Sequence, residues 1–391
     1  MLNRWHILGI ATVSQNLAIG FTFGSYGLLI AEIAETFSSS RSQVALGIAL
    51  ISVVMGLMAP ALGYLLDRWS IRNTMILGAL VTSCGFWLAA QATSLTTLLI
   101  CFGIVVGIGI TAMGVLPASK LAANWFPDST GKALGIVSLP IMVALGPPFF
   151  VGIINSEGWR VLFTDFSLVY LLLIPFLAVI KNQPSPGQGE AGSMPGSAVP
   201  SAWSESMRDA RLWILVVVAG IIFSGGIMLV THIVQHAIDI GIDATRASLL
   251  LSVNGIAAMA GALFFGWLAD RIGAHGAILV NLTLQAIAWS ALLMQAHFPG
   301  LVITVAVLGL CGGGGHPAMA TLVGKVFGAQ RFGTLMGQVT LLVIPFNFGS
   351  APLAGLLYDR SGSYSLAFLC YAGLCTSAIV LILVTRSKFR V

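Results

Sequence analysis

Gly63-Tyr64-Leu65-Leu66-Asp67-Arg68 returns as Gly266-Trp267-Leu268-Ala269-Asp270-Arg271, 203 residues later. Self-similarity at so long a period marks a duplicated architecture. Working outward, Gly131-Lys132-Ala133-Leu134-Gly135 has its counterpart in Gly333-Thr334-Leu335-Met336-Gly337, at an offset of 202. Pro117 pairs with Pro317, and Gly152 with Gly355. Four markers at nearly one offset divide the chain into two halves of the same topology.

The solvent of those halves follows from composition. Hydrophobic residues make up 57% of the 391 and charged residues only 8%, against roughly 25% charged in a soluble protein. A bilayer is the medium that suits such a chain. A helical span needs about 20 apolar residues. Apolar stretches at 6–34, 42–66, 73–92, 96–124, 131–155 and 159–180 predict six spans. A second set at 212–239, 246–269, 276–295, 301–326, 332–357 and 363–385 predicts six more. The expected fold is therefore all-α, twelve transmembrane helices in two pseudo-symmetric six-helix bundles. The bundles cover 1–180 and 212–391, joined by a linker over 181–211. The linker contains QPSPGQGEAGSMPGSAVPS, too rich in Pro, Gly and Ser to bury a core. WSESMRDARLW reads as a short surface helix leading into span seven. The stretch beginning at Trp5 runs about 30 residues and reads as a first span, not as a cleavable leader.

Basic residues orient the spans. With the N-terminus in the cytoplasm, the loops on that side hold 14 of the 18 Lys and Arg, and Arg41, Arg160, Arg246 and Arg360 face out. Both termini and the linker are expected to be cytoplasmic, in a multi-pass protein of the cell membrane. The basic residues are scattered at loop ends, so a net charge of +5 does not imply nucleic acid. Cys84, Cys101, Cys311, Cys370 and Cys375 all lie in apolar stretches, with no CxxC pair. They read as small core residues, and no metal site is expected.

GYLLDRWSIR and GWLADRIGAH resemble the G-x-L-x-D-R-x-G-x-R loop signature of the major facilitator superfamily, after spans two and eight. Ser70 stands where a glycine is usual, and His275 where a basic residue is usual. The resemblance covers the whole chain. It implies a binding site between two bundles near the bilayer midplane, reached alternately from either side. It also implies a cytoplasmic gate of Asp67, Arg68, Arg72, Asp270 and Arg271, with the acids beside arginines and helix N-termini. Gly63 and Gly266 are expected to let helices approach closely. More narrowly, Tyr26 to Val44, DARLWIL from Asp209 and SGSYSLAF from Ser361 are similar to the monocarboxylate and oxalate–formate branch. That branch carries an arginine in span eight, often with Asn or Asp four residues before it. In this chain those positions hold Ala262 and Ala258.

Charge at membrane depth costs about 2.5–3.5 kcal/mol on insertion scales, so polar residues inside spans are candidates for function. His316 lies midway along span ten in CGGGGHPAM, where four glycines and Pro317 are expected to weaken the helix. Its imidazole can bind substrate or carry a proton; the alternative is a packed histidine. His232 and His236 share one face near the outer end of span seven. They suit an outer gate or a proton entry, or simple interfacial contact with water. Lys120 in span four can meet an anion or snorkel to the surface. Asp165 in span six can carry a proton or pair with Arg160. Asn16, Asn254 and Asn347 lie mid-span in spans one, eight and eleven. They can bond substrate or bridge helices. Tyr26 can close over a substrate or anchor at the interface. The expected substrate-binding set is thus Asn16, Tyr26, Lys120, Asn254, His316 and Asn347, and the proton-coupling set His316, His232 and Asp165.

No Walker loop, nucleotide fingerprint or catalytic triad is visible. The chain reads as a gradient-driven transporter, not an enzyme, with no cofactor and as a monomer. Its partners are a small-molecule substrate, protons and the bilayer. Proton-coupled symport of a small organic anion is the leading expectation. Proton-antiport export of a neutral or amphiphilic compound is the alternative, and a non-transporting membrane sensor a third.

Overall fold

The computed structural model describes residues 4–126, 130–180, 206–294, 297–327 and 332–385. The linker expected at 181–211 lies outside them up to residue 205. Ten helical stretches among the described residues are long and apolar enough to cross a membrane. One, Ala244–Leu292, is two spans meeting at Gly273, whose φ of +82° turns the chain. The first span is broken into Arg4–Gly20 and Tyr26–Thr36, neither of which is long enough to cross alone. Adding these two gives the twelve spans expected. The chain divides into two compact units, residues 1–192 and 193–391.

In the first unit, Ser40 starts span two (Arg41–Arg68) with a capping box: its hydroxyl takes the Gln43 N–H and the Gln43 side chain takes the Ser40 N–H. This satisfies two otherwise orphaned donors. Ser70, in the position where glycine is usual, caps span three (Ile71–Ala90) by accepting from the Asn73 N–H. Span six is Trp159–Ala178.

Spans one, four and five are discontinuous. In span one, Thr22 and Ser25 turn their hydroxyls onto the carbonyls of Ala18 and Phe21, four residues back, a habit that bends helices. Span four includes a π-helical stretch, Leu99–Val106, and breaks at Gly114 before Val115–Trp125. Pro117 has no N–H for the Met113 carbonyl; the Ser14 hydroxyl donates to it instead, at 2.7 Å. Span five breaks at Pro140 between Thr130–Val137 and Ile141–Glu157. Asn16 Oδ1 accepts the Met142 N–H, 3.0 Å, at the start of the second piece. A donor left bare in hydrocarbon would cost several kcal/mol.

The second unit repeats these contacts. Its spans are Ala210–Asp239 (seven), the two within Ala244–Leu292 (eight and nine), Phe298–Phe327 (ten), Phe332–Leu342 with Ile344–Ser361 (eleven), and Ser365–Val384 (twelve). Gly20 packs on Met142 in the first unit, and Gly220 on Phe346 in the second. The Tyr170 hydroxyl donates to the Leu17 carbonyl at 2.9 Å, and the Tyr371 hydroxyl to the Ile221 carbonyl at 2.6 Å. Phe86 meets Phe166 at 5.4 Å, and Trp289 meets Phe368 at 5.6 Å. All these pairs are offset by 200–204 residues, so the duplication seen in the loops extends into both cores.

Two expectations are corrected. A Cβ added at Gly266 would meet nothing within 4 Å, so this glycine does not mediate a close approach. The close approach is one turn earlier, where Gly261 lies against the Leu310 carbonyl. Span ten is not weakened at its four glycines: it is continuously helical through Phe298–Phe327. The reason is packing. Gly313 lies against the Ala258 backbone, Gly314 against Phe265 and Gly315 against Ile222, while Gly312 faces open space. Small residues let two backbones touch, the usual device for helix association in lipid.

Candidate functional site

The second unit gathers polar residues around span ten. His316 is exposed, and its ring stacks on Phe223 of span seven at 4.1 Å and 28°. It makes no hydrogen bond or ion pair with any described residue. Span nine holds span ten at Cys311, whose carbonyl accepts from Asn281 Nδ2 at 2.8 Å. Five residues on, His316 is turned by roughly 140° from that contact. Span eight runs alongside span ten, with Asn254 beside Gly309, Ala258 beside Gly313 and Phe265 beside Gly314. This register brings Ala262 to the level of His316, and Ala262 is exposed as well. Asn254 is half-buried, with its Oδ1 against Gly309.

Span seven also positions Asn347. Gly220, three residues before Phe223, seats Phe346, the neighbour of Asn347. Asn347 Oδ1 is buried with no hydrogen-bond partner among the described residues. The contacts that span seven makes with Phe346 of span eleven and with His316 of span ten thus lie about one turn apart along it.

Other candidates are already engaged. Asn16 uses both ends of its amide, accepting from Met142 N and donating to the Thr12 carbonyl at 2.9 Å. Tyr26 is 1% exposed; its hydroxyl donates to the Val44 carbonyl at 2.7 Å and its ring stacks on Phe102 at 4.4 Å. It sits buried in the interior of the first unit. Lys120 is half-buried and donates to the Leu66 carbonyl at 2.8 Å, near the end of span two.

His232 is fully buried, so water contact is not its role. Its Nε2 lies 2.8 Å from the Ala351 carbonyl and its Nδ1 3.1 Å from the Tyr364 hydroxyl. A carbonyl only accepts, so Nε2 carries the proton, and in the neutral ring Nδ1 accepts from Tyr364. His236 is 7% exposed, edge-on to Phe368 at 4.9 Å. Its Nε2 has no partner among the described residues.

Asp165 is half-buried and has no ion pair or hydrogen bond among the described residues. The pair with Arg160 is not formed. That guanidinium donates to the Ala90 carbonyl at 2.6 Å and lies over the Trp159 ring at 4.4 Å.

Of the gate residues, the side chains of Asp67 and Arg68 lie outside the described residues. Arg72 is exposed, with Nε 3.3 Å from Asn73 Oδ1. Asp270 and Arg271 are exposed, and Arg271 lies over the Trp267 ring at 5.4 Å.

Two residues escaped sequence reasoning. Gln15 is 8% exposed and its Oε1 is unpaired among the described residues; its signal was a polar pair, Gln15-Asn16, inside an apolar span. Glu32 accepts the Trp159 N–H at 3.3 Å, capping span six, while its Oε2 is buried without a partner among the described residues. A long-range cap of this kind leaves no local sequence signal.

Duplicated six-helix units with broken spans, and with buried polar groups unpaired among the described residues, are an architecture suited to a secondary membrane transporter. The chain belongs to the Major Facilitator Superfamily, which it matches over residues 13–238 and 226–390. Among curated relatives, "Monocarboxylate transporter 13" of Bos taurus is 25% identical, covering 93% of this chain and 85% of the relative. "Monocarboxylate transporter 11" of Homo sapiens is 24% identical, covering 95% and 81%. In fold, the chain is similar to a variant of the nucleoside transporter NupG, with a TM-score of 0.80, 12% identity, and 98% and 100% coverage. It is also similar to a bacterial homologue of the human lysosomal transporter Spinster, in an inward-facing, unoccupied conformation. There the TM-score is 0.72, identity 16%, and coverage 99% and 96%. The protein is a transporter of a small molecule, not an enzyme.

Proposed function

We propose that this transporter is a proton-coupled symporter of a small organic anion, a carboxylate, with His316 holding both the proton and the anion. The observation that carries this reading is the state of His316: a mid-span imidazole, exposed, resting by one face on Phe223 and without a polar partner among the described residues. A neutral imidazole holds an anion poorly. A protonated one attracts it, and the resulting pair carries no net charge, which lowers the cost of crossing a low-dielectric interior. Coupling follows, because neither the proton nor the anion is stable at that depth alone. Asn254 and Asn347 are the amides we assign to the substrate's remaining oxygen atoms.

The monocarboxylate transporters named above support the substrate class. We assign Asn16, Tyr26 and Lys120 to holding the first unit together, since their polar atoms are already engaged. We assign His232 to tying spans seven, eleven and twelve, and leave Asp165 outside the coupling path. The gate residues Asp67, Arg68, Arg72, Asp270 and Arg271 keep their expected place as a latch on the side that carries both termini, in the cytoplasm.

Purified protein in liposomes containing a pH dye tests the reading. A carboxylate gradient should acidify the lumen, with His316→Gln abolishing both carboxylate uptake and proton entry. Proton exit on addition of a neutral compound, with silence for every carboxylate, would establish antiport export in its place. The exposed Ala262 favours that second reading, because span eight offers no cation there.

A further inference from the structure

The first unit carries an apolar groove of ≈ 810 Å³ between spans one and six, lined by none of the residues assigned above. On span one it is lined by His6, Gly9, Ile10, Val13 and Leu17, a stripe at helical spacing. On span six the facing stripe is Val169, Leu172, Leu173 and Phe176. The groove ends where Tyr170 donates to the Leu17 carbonyl and ties the two spans. From Trp5 to Leu17 it runs 12 residues, about 18 Å. Half of a bilayer's hydrocarbon core is about 15 Å, so the groove has the depth of a single leaflet.

Its mouth is basic and aromatic. Trp5 is 53% exposed, and exposed Arg4 and His6 flank it. The Arg4 guanidinium meets only rings among the described residues, Trp5 at 6.0 Å and Phe126 at 5.4 Å, and no carboxylate. Tryptophan and arginine at a span end mark the headgroup level of a membrane. At the deep end the polarity reverses: Asp165, one turn before Val169, is the next polar group along the stripe.

The geometry points to a bound anionic phospholipid, one acyl chain lying in the groove and its phosphate at Arg4 and His6. Gly9 is the notch that admits the chain, since a Cβ there would meet nothing within 4 Å. A basic residue at the headgroup level favours an anionic over a zwitterionic lipid by about fivefold.

The test uses vesicles of equimolar phosphatidylglycerol and phosphatidylcholine with matched chains. Native mass spectrometry then counts the lipids retained by the extracted protein. The wild type should retain one phosphatidylglycerol in preference to phosphatidylcholine. Arg4→Gln, on an exposed side chain that leaves the fold unchanged, should lower that preference about fivefold. Gly9→Phe should fill the notch and remove both lipids, with an unchanged melting temperature reporting an intact fold. Equal retention of the two lipids, an unaltered preference in Arg4→Gln, retention in a folded Gly9→Phe, or a second protein chain in place of lipid would each overturn the proposal.

Discussion

Two adjacent glycines of span ten should respond in opposite ways to the same substitution. At Gly313 an added Cβ would fall 2.6 Å from the Ala258 carbonyl carbon and 2.7 Å from its Cα, with the carbonyl oxygen nearer still. Ordinary contact begins at 3.4 Å, so Gly313→Ala must push the backbones of spans eight and ten apart by at least 0.8 Å, the difference between 3.4 and 2.6 Å. Backbone cannot rotate aside as a side chain can, and overpacking of this kind costs about 1–3 kcal/mol. At about 2–4 °C per kcal/mol for a unit of this size, the melting temperature should fall by about 2–12 °C. At Gly312 the same Cβ meets nothing within 4 Å. Gly312→Ala should leave stability unchanged or raise it by up to about 1 kcal/mol through helix propensity. Function should follow the same split. The separation moves His316 relative to Ala258 and Ala262, so Gly313→Ala should lose transport while Gly312→Ala keeps it. Thermal melting in detergent and uptake in liposomes measure both quantities. Equal behaviour of the two variants, in either assay, would refute the packing account of the glycine run.

Lys120→Ala removes the donor to the Leu66 carbonyl and should cost about 1 kcal/mol of stability with substrate affinity unchanged; a raised KM at full stability would instead put Lys120 in the binding site. Tyr170→Phe and Tyr371→Phe each delete one member of the duplicated hydroxyl-to-carbonyl pair and should each cost about 0.5–1.5 kcal/mol. Because the two lie in different units, the double variant should show the sum to within about 0.5 kcal/mol in denaturation experiments. Glu32→Ala leaves the Trp159 N–H without its acceptor and should destabilise by about 1 kcal/mol, as for a lost helix cap, whereas Glu32→Gln retains an acceptor and should melt close to the wild type.

Much of the candidate site was open to reading in one dimension, and the division has a physical basis. Asn254, His316 and Asn347 stood out because a polar side chain in an apolar span is costly wherever it points. Their grouping was not legible. It depends on Gly220 seating Phe346 and on Gly313 meeting Ala258, contacts between residues tens of positions apart. Asn16, Tyr26 and Lys120 stood out for the same reason as His316, yet their polar atoms are taken up by Met142, Val44 and Leu66. A sequence lists donors and acceptors without saying which will meet.

By itself the sequence determined the membrane as solvent, the twelve spans, the duplication and the superfamily. Apolar length and repeated motifs are properties of the chain taken in order, and the bilayer converts them into helices with little further choice. Only the tertiary structure decided where the spans break, which glycines bring backbones together and which mid-membrane polar groups stay unpaired among the described residues. Each of those rests on a partner from a distant part of the chain: Ser14 for the carbonyl that Pro117 leaves open, Asn16 for the N–H of Met142, Ala258 for Gly313. The cost of an unmet polar group or an empty contact is set in three dimensions, after the helices have found their neighbours.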